Sequence, residues 1–215
     1  TTVYAEAKSF SGDSLFTTLA AGNSASGNMF DIVPLQNIII NGVAMHFNGV
    51  GTTTVQVWYR TGSFVGFETA NTGWTMAHST TVTTTGTGTL TPIPGTFAIN
   101  VASGQTYALY VTSTNGSPST NYTNGSLLGA LFASNADLQL YEGKGGGYFS
   151  VTNSPRIFNG VVYYSKPGCS SGRAPVTLSV NPLPVVTVAQ PASSVCYSTQ
   201  ATFTASGAST YSWSN

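Results

Sequence analysis

The side chains that could support catalysis are few and scattered along this chain of 215 residues. The acidic residues are Glu6, Asp13, Asp31, Glu68, Asp137 and Glu142. A glycosidase needs two carboxylates that face each other across a cleft, but a predicted strand separates Asp137 from Glu142 and puts them at its opposite ends. His46 and His78 have no Gly-x-Ser-x-Gly elbow and no cysteine nucleophile beside them. We therefore predict that the chain is not an enzyme.

The same two carboxylates are the best candidates for a metal site. Asp137 and Glu142, with Asn135, offer oxygen atoms of the kind that calcium prefers. The alternative is that these carboxylates are partly buried and pair with Arg60 or Arg156, because a charge near a core needs a partner. We favour the ion pairs, and we expect no cofactor other than this candidate calcium.

Aromatic side chains that face out of a sheet can stack on sugar rings, while amides can hydrogen-bond to sugar hydroxyls. The candidate ligand-binding residues on this basis are Trp58, Trp74, Asn135 and Tyr148. The alternative for the tryptophans is burial, which is the commoner fate of large aromatic residues. Tyr148 follows the glycine-rich segment 143–147, which lacks the setting of a nucleotide-binding loop and is predicted to be a flexible hairpin tip.

The two cysteines, Cys169 and Cys196, indicate an oxidising compartment. Neither belongs to a Cys-x-x-Cys pair, so a zinc site is not indicated. They could form a disulfide with each other, or Cys196 could pair with a residue beyond the end of this chain. Either alternative favours an oxidising compartment.

Thr, Ser and Gly dominate the composition, and no segment has the periodicity of a capped helix, so the chain is predicted to be all-β. In 53–60, Val55, Val57 and Tyr59 alternate with Gln56, Trp58 and Arg60. In 105–112, Tyr107, Leu109 and Val111 alternate in the same way. Asn41-Gly42, inside an apolar segment, indicates a tight turn or a bulge. Nine or ten short strands before residue 166 predict an antiparallel, jelly-roll-like β-sandwich.

A change in composition after this region divides the chain. We predict a jelly-roll-like β-sandwich over residues 1–165, a linker with one strand over 166–184, and the first strands of a further domain over 185–215. About thirty residues cannot bury a full core, so we expect the natural protein to continue beyond residue 215.

Charge excludes several classes of partner. Only 6% of the residues are charged and the formal net charge is +0, whereas nucleic-acid binding needs clustered Lys and Arg. The longest aliphatic run is Ile38–Ile40, far short of the roughly 20 apolar residues of a membrane span. We expect no nucleic-acid partner and no membrane insertion.

Several segments resemble modules of large surface proteins of Bacteroidota that are exported by the type 9 secretion system. Segments 168–180 and 195–214 resemble the closing and opening strands of their immunoglobulin-like repeats. Segments 27–32, 58–63, 134–143 and 154–160 are similar to an N-terminal module of such proteins. The resemblance implies a partial immunoglobulin-like domain over 185–215 and a bacterial cell-surface location. It implies no defined reaction. The repeat carries an opening and a closing cysteine, whereas the first domain here has only the closing one.

These observations favour a non-enzymatic, extracellular module of a long protein that serves adhesion or structural spacing. The alternatives are a carbohydrate-binding module of a secreted hydrolase, or the subunit of an extracellular filament that a partner's strand completes. The expected partners are surface glycans or other copies of the protein.

Overall fold

The computed structural model describes residues 12–167, 185–190, 196 and 200–214, together with the backbone of residues 2–5 and 174–177. The chain forms two units. One comprises residues 8–170, and the other combines residues 1–7 with residues 171–215. All strand pairs recorded among the described residues are antiparallel, as predicted. No helix among the described residues is long and apolar enough to cross a membrane.

The unit of residues 1–7 and 171–215 contains two short strand pairs. Strand β1 (Thr2–Ala5) pairs with β17 (Ala174–Thr177), and β18 (Thr187–Ala189) pairs with β19 (Thr204–Ser206). The first strand of the chain therefore belongs with the segment after residue 170, although the sequence predicts it as part of the first domain. The immunoglobulin-like character of this unit stays a prediction.

The unit of residues 8–170 contains two sheets. The small sheet has five strands: β2 (Gly12–Phe16), β5 (Ile38–His46), β8 (Leu90–Pro92), β9 (Ile99–Val101) and β16 (Gly160–Ser165). The large sheet has ten strands: β3 (Asn23–Ala25), β4 (Gly27–Pro34), β6 (Val50–Thr61), β7 (Thr75–Thr85), β10 (Tyr107–Ser113), β11 (Thr120–Asn124), β12 (Leu131–Ser134), β13 (Leu138–Tyr141), β14 (Gly143–Gly147) and β15 (Ser150–Phe158).

Alternation along the strands builds the core between these two sheets. The buried cluster draws Ile40 and Val162 from the small sheet and Phe30, Val57 and Leu109 from the large one. Period-two alternation points every second side chain of a strand to the same face, so the apolar set predicted in β6 and β10 faces this core. The fold is thus an all-β sandwich, as the sequence predicts; the jelly-roll order of its strands stays a prediction.

Two local features depend on backbone geometry. Tyr163 and Tyr164 pair with Gly42 and Ile40, so Asn41 is the extra residue of a β-bulge. The glycine-rich segment 143–147 is strand β14, between β4 and β15, and the prediction of a flexible tip there is wrong. The reason is close packing, because a Cβ on Gly143 would overlap with the backbone of Met29 and Phe30.

Candidate functional site

The outer face of the large sheet, meaning the face turned away from the small sheet, carries a second apolar cluster. Trp58, Tyr110 and Met29 lie side by side on β6, β10 and β4, because Tyr110 is the register partner of both other residues. Phe64 and Trp74 cover them from one side and Val151 joins the cluster from β15. The part of the large sheet that carries Met29, Trp58 and Tyr110 is therefore buried on both faces.

Residues 62–74, here called the cover loop, are held on this face by polar contacts from the sheet. Oδ1 of Asp31 accepts a hydrogen bond of 3.1 Å from the Phe64 amide. Nε of Arg60 donates to the Gly73 carbonyl, and its guanidinium carbon lies 3.5 Å from the centre of the Phe67 ring. Nζ of Lys144 lies 2.8 Å from Oε1 of Glu68. Because both ends of the cover loop are anchored, it is part of the fold.

Both anchoring carboxyl groups, Asp31 and Glu68, have shifted pKa values. Burial raises the pKa of Asp31, against the opposing effects of hydrogen bonds from Ser63 and Phe64 and of the charge of Arg60. Burial is the largest single effect on Glu68 and opposes its ionisation, but the hydrogen bond and charge of Lys144 and the hydrogen bonds from the Glu68 and Gly66 amides together outweigh it and lower the pKa of that carboxyl. The acid–base properties of both groups thus follow from their roles in fixing the cover loop.

An exposed tyrosine stands beside this cluster. Tyr148 is 40% exposed, and its hydroxyl donates a hydrogen bond of 2.9 Å to Oε1 of Gln56. The same Gln56 oxygen accepts a hydrogen bond of 3.0 Å from Nε1 of Trp58. The Tyr148 ring packs edge to face against Phe149. Much of the Tyr148 side chain is thus exposed, while its hydroxyl is held by Gln56.

An uncharged strip of hydroxyl-bearing side chains continues from Gln56 along β6 and β7. Gln56 and Ser79 are register partners, as are Thr54 and Thr81. The hydroxyl oxygens of Thr54 and Thr81 are 3.3 Å apart. Hydroxyl groups donate and accept hydrogen bonds, so this strip can contact neutral polar ligands of many shapes.

A cleft of about 270 Å³ lies on the same outer face. It is lined by Asp31, Val33, Thr106, Gly129 and Tyr141. Leu140 is the register partner of Ile32, so the next residues, Tyr141 and Asp31, are neighbours across the sheet. Residues that carry a carboxylate, a hydroxyl and an aromatic ring therefore line one cavity.

The rim of this cleft depends on Glu142, which the sequence proposes as a calcium ligand. Its carboxylate accepts hydrogen bonds of 2.6 Å from the Ser126 amide and 2.9 Å from the Leu127 amide. Its backbone carbonyl accepts a hydrogen bond of 2.9 Å from the Gly129 amide. Glu142 therefore holds the turn that carries Gly129, instead of meeting an arginine as the preferred ion-pair interpretation predicts.

Asp137, the other proposed calcium ligand, is buried at the opposite end of β13. Its carboxylate accepts hydrogen bonds from Gln36 at 2.7 Å and from Tyr164 at 3.2 Å. Nζ of Lys166 lies 2.9 Å from Oδ2, so the cation beside Asp137 is Lys166 and not Arg60 or Arg156. Among the described residues, no three His, Cys, Asp or Glu side chains form a metal-binding group.

Asn135 has a structural position beside Asp137. Its side-chain nitrogen donates a hydrogen bond of 2.8 Å to the hydroxyl of Tyr164 and one of 3.1 Å to the Ser14 carbonyl. Its side-chain oxygen accepts from the amides of Asp137 and Leu138. These contacts form the turn before β13 and place Asn135 away from the aromatic residues with which the sequence groups it.

The two tryptophans proposed as ligand contacts are buried. Trp58 is 9% exposed and Trp74 is 8% exposed. The indole nitrogen of Trp74 donates a hydrogen bond of 2.9 Å to the Phe67 carbonyl within the cover loop. Of the three proposed aromatic contacts, only Tyr148 presents a substantial surface.

The proposed disulfide cannot be placed. Cys196 is exposed, while Cys169 lies outside the described residues, so their pairing stays a prediction.

Both histidines also take part in the fold. His46 is buried, and its Nε2 lies 2.8 Å from the Gly88 amide nitrogen and 3.3 Å from Nδ2 of Asn121. Nε2 of His78 lies 2.7 Å from the Pro94 carbonyl oxygen, with the imidazole ring stacked on Phe97. Both imidazoles therefore link a strand to a neighbouring segment.

Sequence reasoning missed Asp31, Thr106 and Tyr141. A signal was present in β4, where Asp31 alternates with the core residues Phe30 and Ile32, and in β13, where Tyr141 follows Leu140. Both patterns place these residues on the outer face, but only strand order makes them neighbours.

Comparison of the sequence with models of known protein families and with curated proteins finds no match.

Proposed function

We propose that this chain is a non-enzymatic module of a long extracellular surface protein, and that it serves adhesion or structural spacing through the outer face of its large sheet. The observation that carries the proposal is the position of Tyr148, an exposed ring fixed through its hydroxyl beside the uncharged hydroxyl strip. Such a surface contacts neutral ligands through aromatic area and hydrogen bonds.

The charges of the outer face support this role because each named carboxylate lies near a cation on the same face. Lys144 neutralises Glu68, and Arg60 interacts with Asp31. A surface without net charge has little long-range repulsion, so it suits close contact with uncharged polymers or with neighbouring modules of an array. The secreted location rests on the resemblance and the cysteines.

The ionisable side chains of this unit also have structural roles. Asp137, Glu142, Glu68 and His46 each accept hydrogen bonds or pair with a cation inside the fold. Groups held in this way support the architecture, and this favours binding over bond-making chemistry.

A carbohydrate-binding module of a secreted hydrolase is the second candidate. The exposed face of Tyr148 favours it, because the apolar face of a sugar ring packs on an aromatic side chain while Gln56 and the threonines offer hydrogen bonds.

The experiment is a binding assay of the full 215-residue chain on an array of surface glycans and on whole bacterial cells. We expect Tyr148→Ala to weaken binding about tenfold, which corresponds to about 1.4 kcal/mol. Tyr163→Ala is the matched control, because Tyr163 is 39% exposed but lies on β16 of the small sheet. Wild-type protein that binds neither glycans nor cells at high concentration, or equal loss in both variants, would contradict adhesion through this face and leave structural spacing as the role.

A further inference from the structure

We propose that the cleft between β4 and β13 is a binding site for one neutral sugar unit of a surface glycan, with Asp31 as acceptor for two adjacent hydroxyl groups. This inference rests on the proposed function and assigns it a specific site. The cleft is separate from Tyr148, so the two surfaces can be tested independently.

The position of the cleft follows from strand order. Tyr141 on β13 and Asp31 on β4 are neighbours, because Leu140 is the register partner of Ile32. Val33 on β4 and Thr106, just before β10, continue the lining, and Gly129 closes it without a side chain. The cleft of about 270 Å³ lies just below the usual range for sites of larger small molecules, which suits a single sugar ring.

The Asp31 carboxylate is oriented before a ligand arrives. Its Oδ1 accepts the Phe64 amide of the cover loop at 3.1 Å, which fixes the plane of the carboxyl group. A carboxylate has about four acceptor positions on two oxygens. Ser63 and the Phe64 amide use two of them, so two remain for hydroxyl donors. A pre-oriented acceptor loses little conformational entropy on binding.

The other lining residues complement a sugar. Tyr141 offers an aromatic ring, and its hydroxyl is already bound to Oε1 of Gln139 at 2.8 Å. Thr106 adds a hydroxyl group on the far side of Val33. Leu131, which is 50% exposed, is the register partner of Tyr141 and extends the apolar border. Apolar area next to a few fixed polar groups is the usual composition of a small-ligand site.

Charge decides the class of ligand. Asp31 already interacts with Arg60, which offsets its charge, so a cationic ligand would compete with an existing partner. An anionic ligand would approach a carboxylate and be repelled. A neutral polyhydroxyl ligand avoids both costs and uses the acceptor capacity of Asp31.

The test is titration of the full chain with neutral oligosaccharides, namely cellohexaose, mannohexaose and xylohexaose, by calorimetry, with amide chemical shifts recorded in parallel. We expect at least one of these to bind at millimolar concentration or tighter and to shift the amides of Thr106 and Gly129. Asp31→Asn should weaken this binding at least tenfold, because the amide loses acceptor positions.

Asp31→Asn also alters a cover-loop anchor, so a second variant is needed. Thr106→Val keeps the side-chain shape and the backbone carbonyl that accepts the Gly62 amide at 2.8 Å, and should weaken binding severalfold without changing the melting temperature. Asn100→Ala is the control, because Asn100 lines a different cavity of about 250 Å³ next to β9, and should bind like wild type.

The outcomes separate this inference from the broader proposal. Full binding by both Asp31→Asn and Thr106→Val would overturn the cleft site, while the proposed function would stand if Tyr148→Ala still lost binding to glycans or cells. Tighter binding of sulfated or sialylated glycans than of neutral ones would also overturn it. If no neutral oligosaccharide binds, the proposed cleft site is contradicted, whatever the result of the cell-binding assay.

Discussion

The backbone amide of Gly88 donates a hydrogen bond of 2.8 Å to Nε2 of the buried His46. Accepting this bond requires a neutral imidazole with its proton on Nδ1. Asn121 of the large sheet lies 3.3 Å from the same nitrogen, so the ring of His46, on the small sheet, links both sheets and the turn after β7. Protonation of Nε2 would leave the Gly88 amide without this acceptor.

This link predicts a loss of stability in mild acid. Burial lowers the pKa of His46, and a hydrogen bond with Asn159 opposes the shift only in part. The unfolded chain then binds a proton that the folded chain does not, so the free energy of unfolding decreases as the pH falls through about 6.5, the usual value for histidine. Urea denaturation at pH 7.5 and at pH 5.5 measures the difference.

His46→Gln supplies the control for that prediction, because a glutamine oxygen can accept the Gly88 amide and does not titrate. We expect a smaller difference between the two pH values in this variant than in wild type. An unchanged difference in His46→Gln would show that another group is responsible.

The ion pair of Lys144 and Glu68 predicts a modest contribution to the stability of the cover loop. Both side chains are mostly shielded, with exposures of 22% and 14%, and Glu68→Gln should lower the free energy of unfolding by about 1 kcal/mol. Since the pKa of Glu68 is lowered, this contribution is present at neutral pH and is lost as the pH falls below about 4.5. Limited proteolysis should cut the cover loop faster in the variant.

Asp13→Asn is the matched comparison, because Asp13 is 43% exposed and 3.6 Å from Lys166. It should change stability by less than about 0.5 kcal/mol. Equal effects of the two substitutions would mean that the cover loop does not depend on its ion pair.

Strand β14 predicts an unusually severe effect of a single methyl group. Gly143→Ala would place a Cβ against the carbonyl oxygen of Met29 in the neighbouring strand, and backbone cannot move aside as a side chain can. We expect a loss of about 3 kcal/mol or more in the free energy of unfolding. Gly49→Ala, whose Cβ would meet no atom within 4 Å, should be close to neutral. Thermal unfolding of both variants tests the contrast.

The buried tryptophans predict structural rather than ligand effects. Trp74→Ala removes a ring from the second cluster and a donor to the Phe67 carbonyl, and should cost about 3–5 kcal/mol of stability. The near-ultraviolet circular dichroism spectrum should lose intensity as the packing of Trp58 and Tyr110 loosens. A Trp74→Ala protein with wild-type stability and weaker glycan binding would contradict this assignment.

Sequence alone predicts those parts of the fold that follow from local periodicity. Val55, Val57 and Tyr59 face the core because a strand alternates, and the bulge at Asn41 is one of the two structures that Asn-Gly indicates. The glycine-rich strand β14 was not predictable in this way. Its glycines are required by the approach of β4 and by the ring of Tyr122 over Gly145, which are contacts between segments far apart in the chain.

The candidate site shows the same division. Local sequence correctly separates Asp137 from Glu142, because the strand between them is evident. It does not indicate that Lys166 pairs with Asp137, or that Asp31 and Tyr141 become neighbours, because both depend on which strands lie side by side. The sequence also does not predict that Phe64 and Trp74 cover Trp58, because the cover loop that carries them has no regular alternation of apolar and polar residues.

Burial of the middle strands from above and below has a consequence for divergence among relatives. A substitution at Leu109 meets the core between the two sheets, and one at Tyr110 meets the second apolar cluster. Side-chain size is therefore restricted on both faces of β10. Variation in side-chain size is expected at the exposed borders of the sheet and in its loops, while Leu109 and Tyr110 stay restricted by the two packed layers.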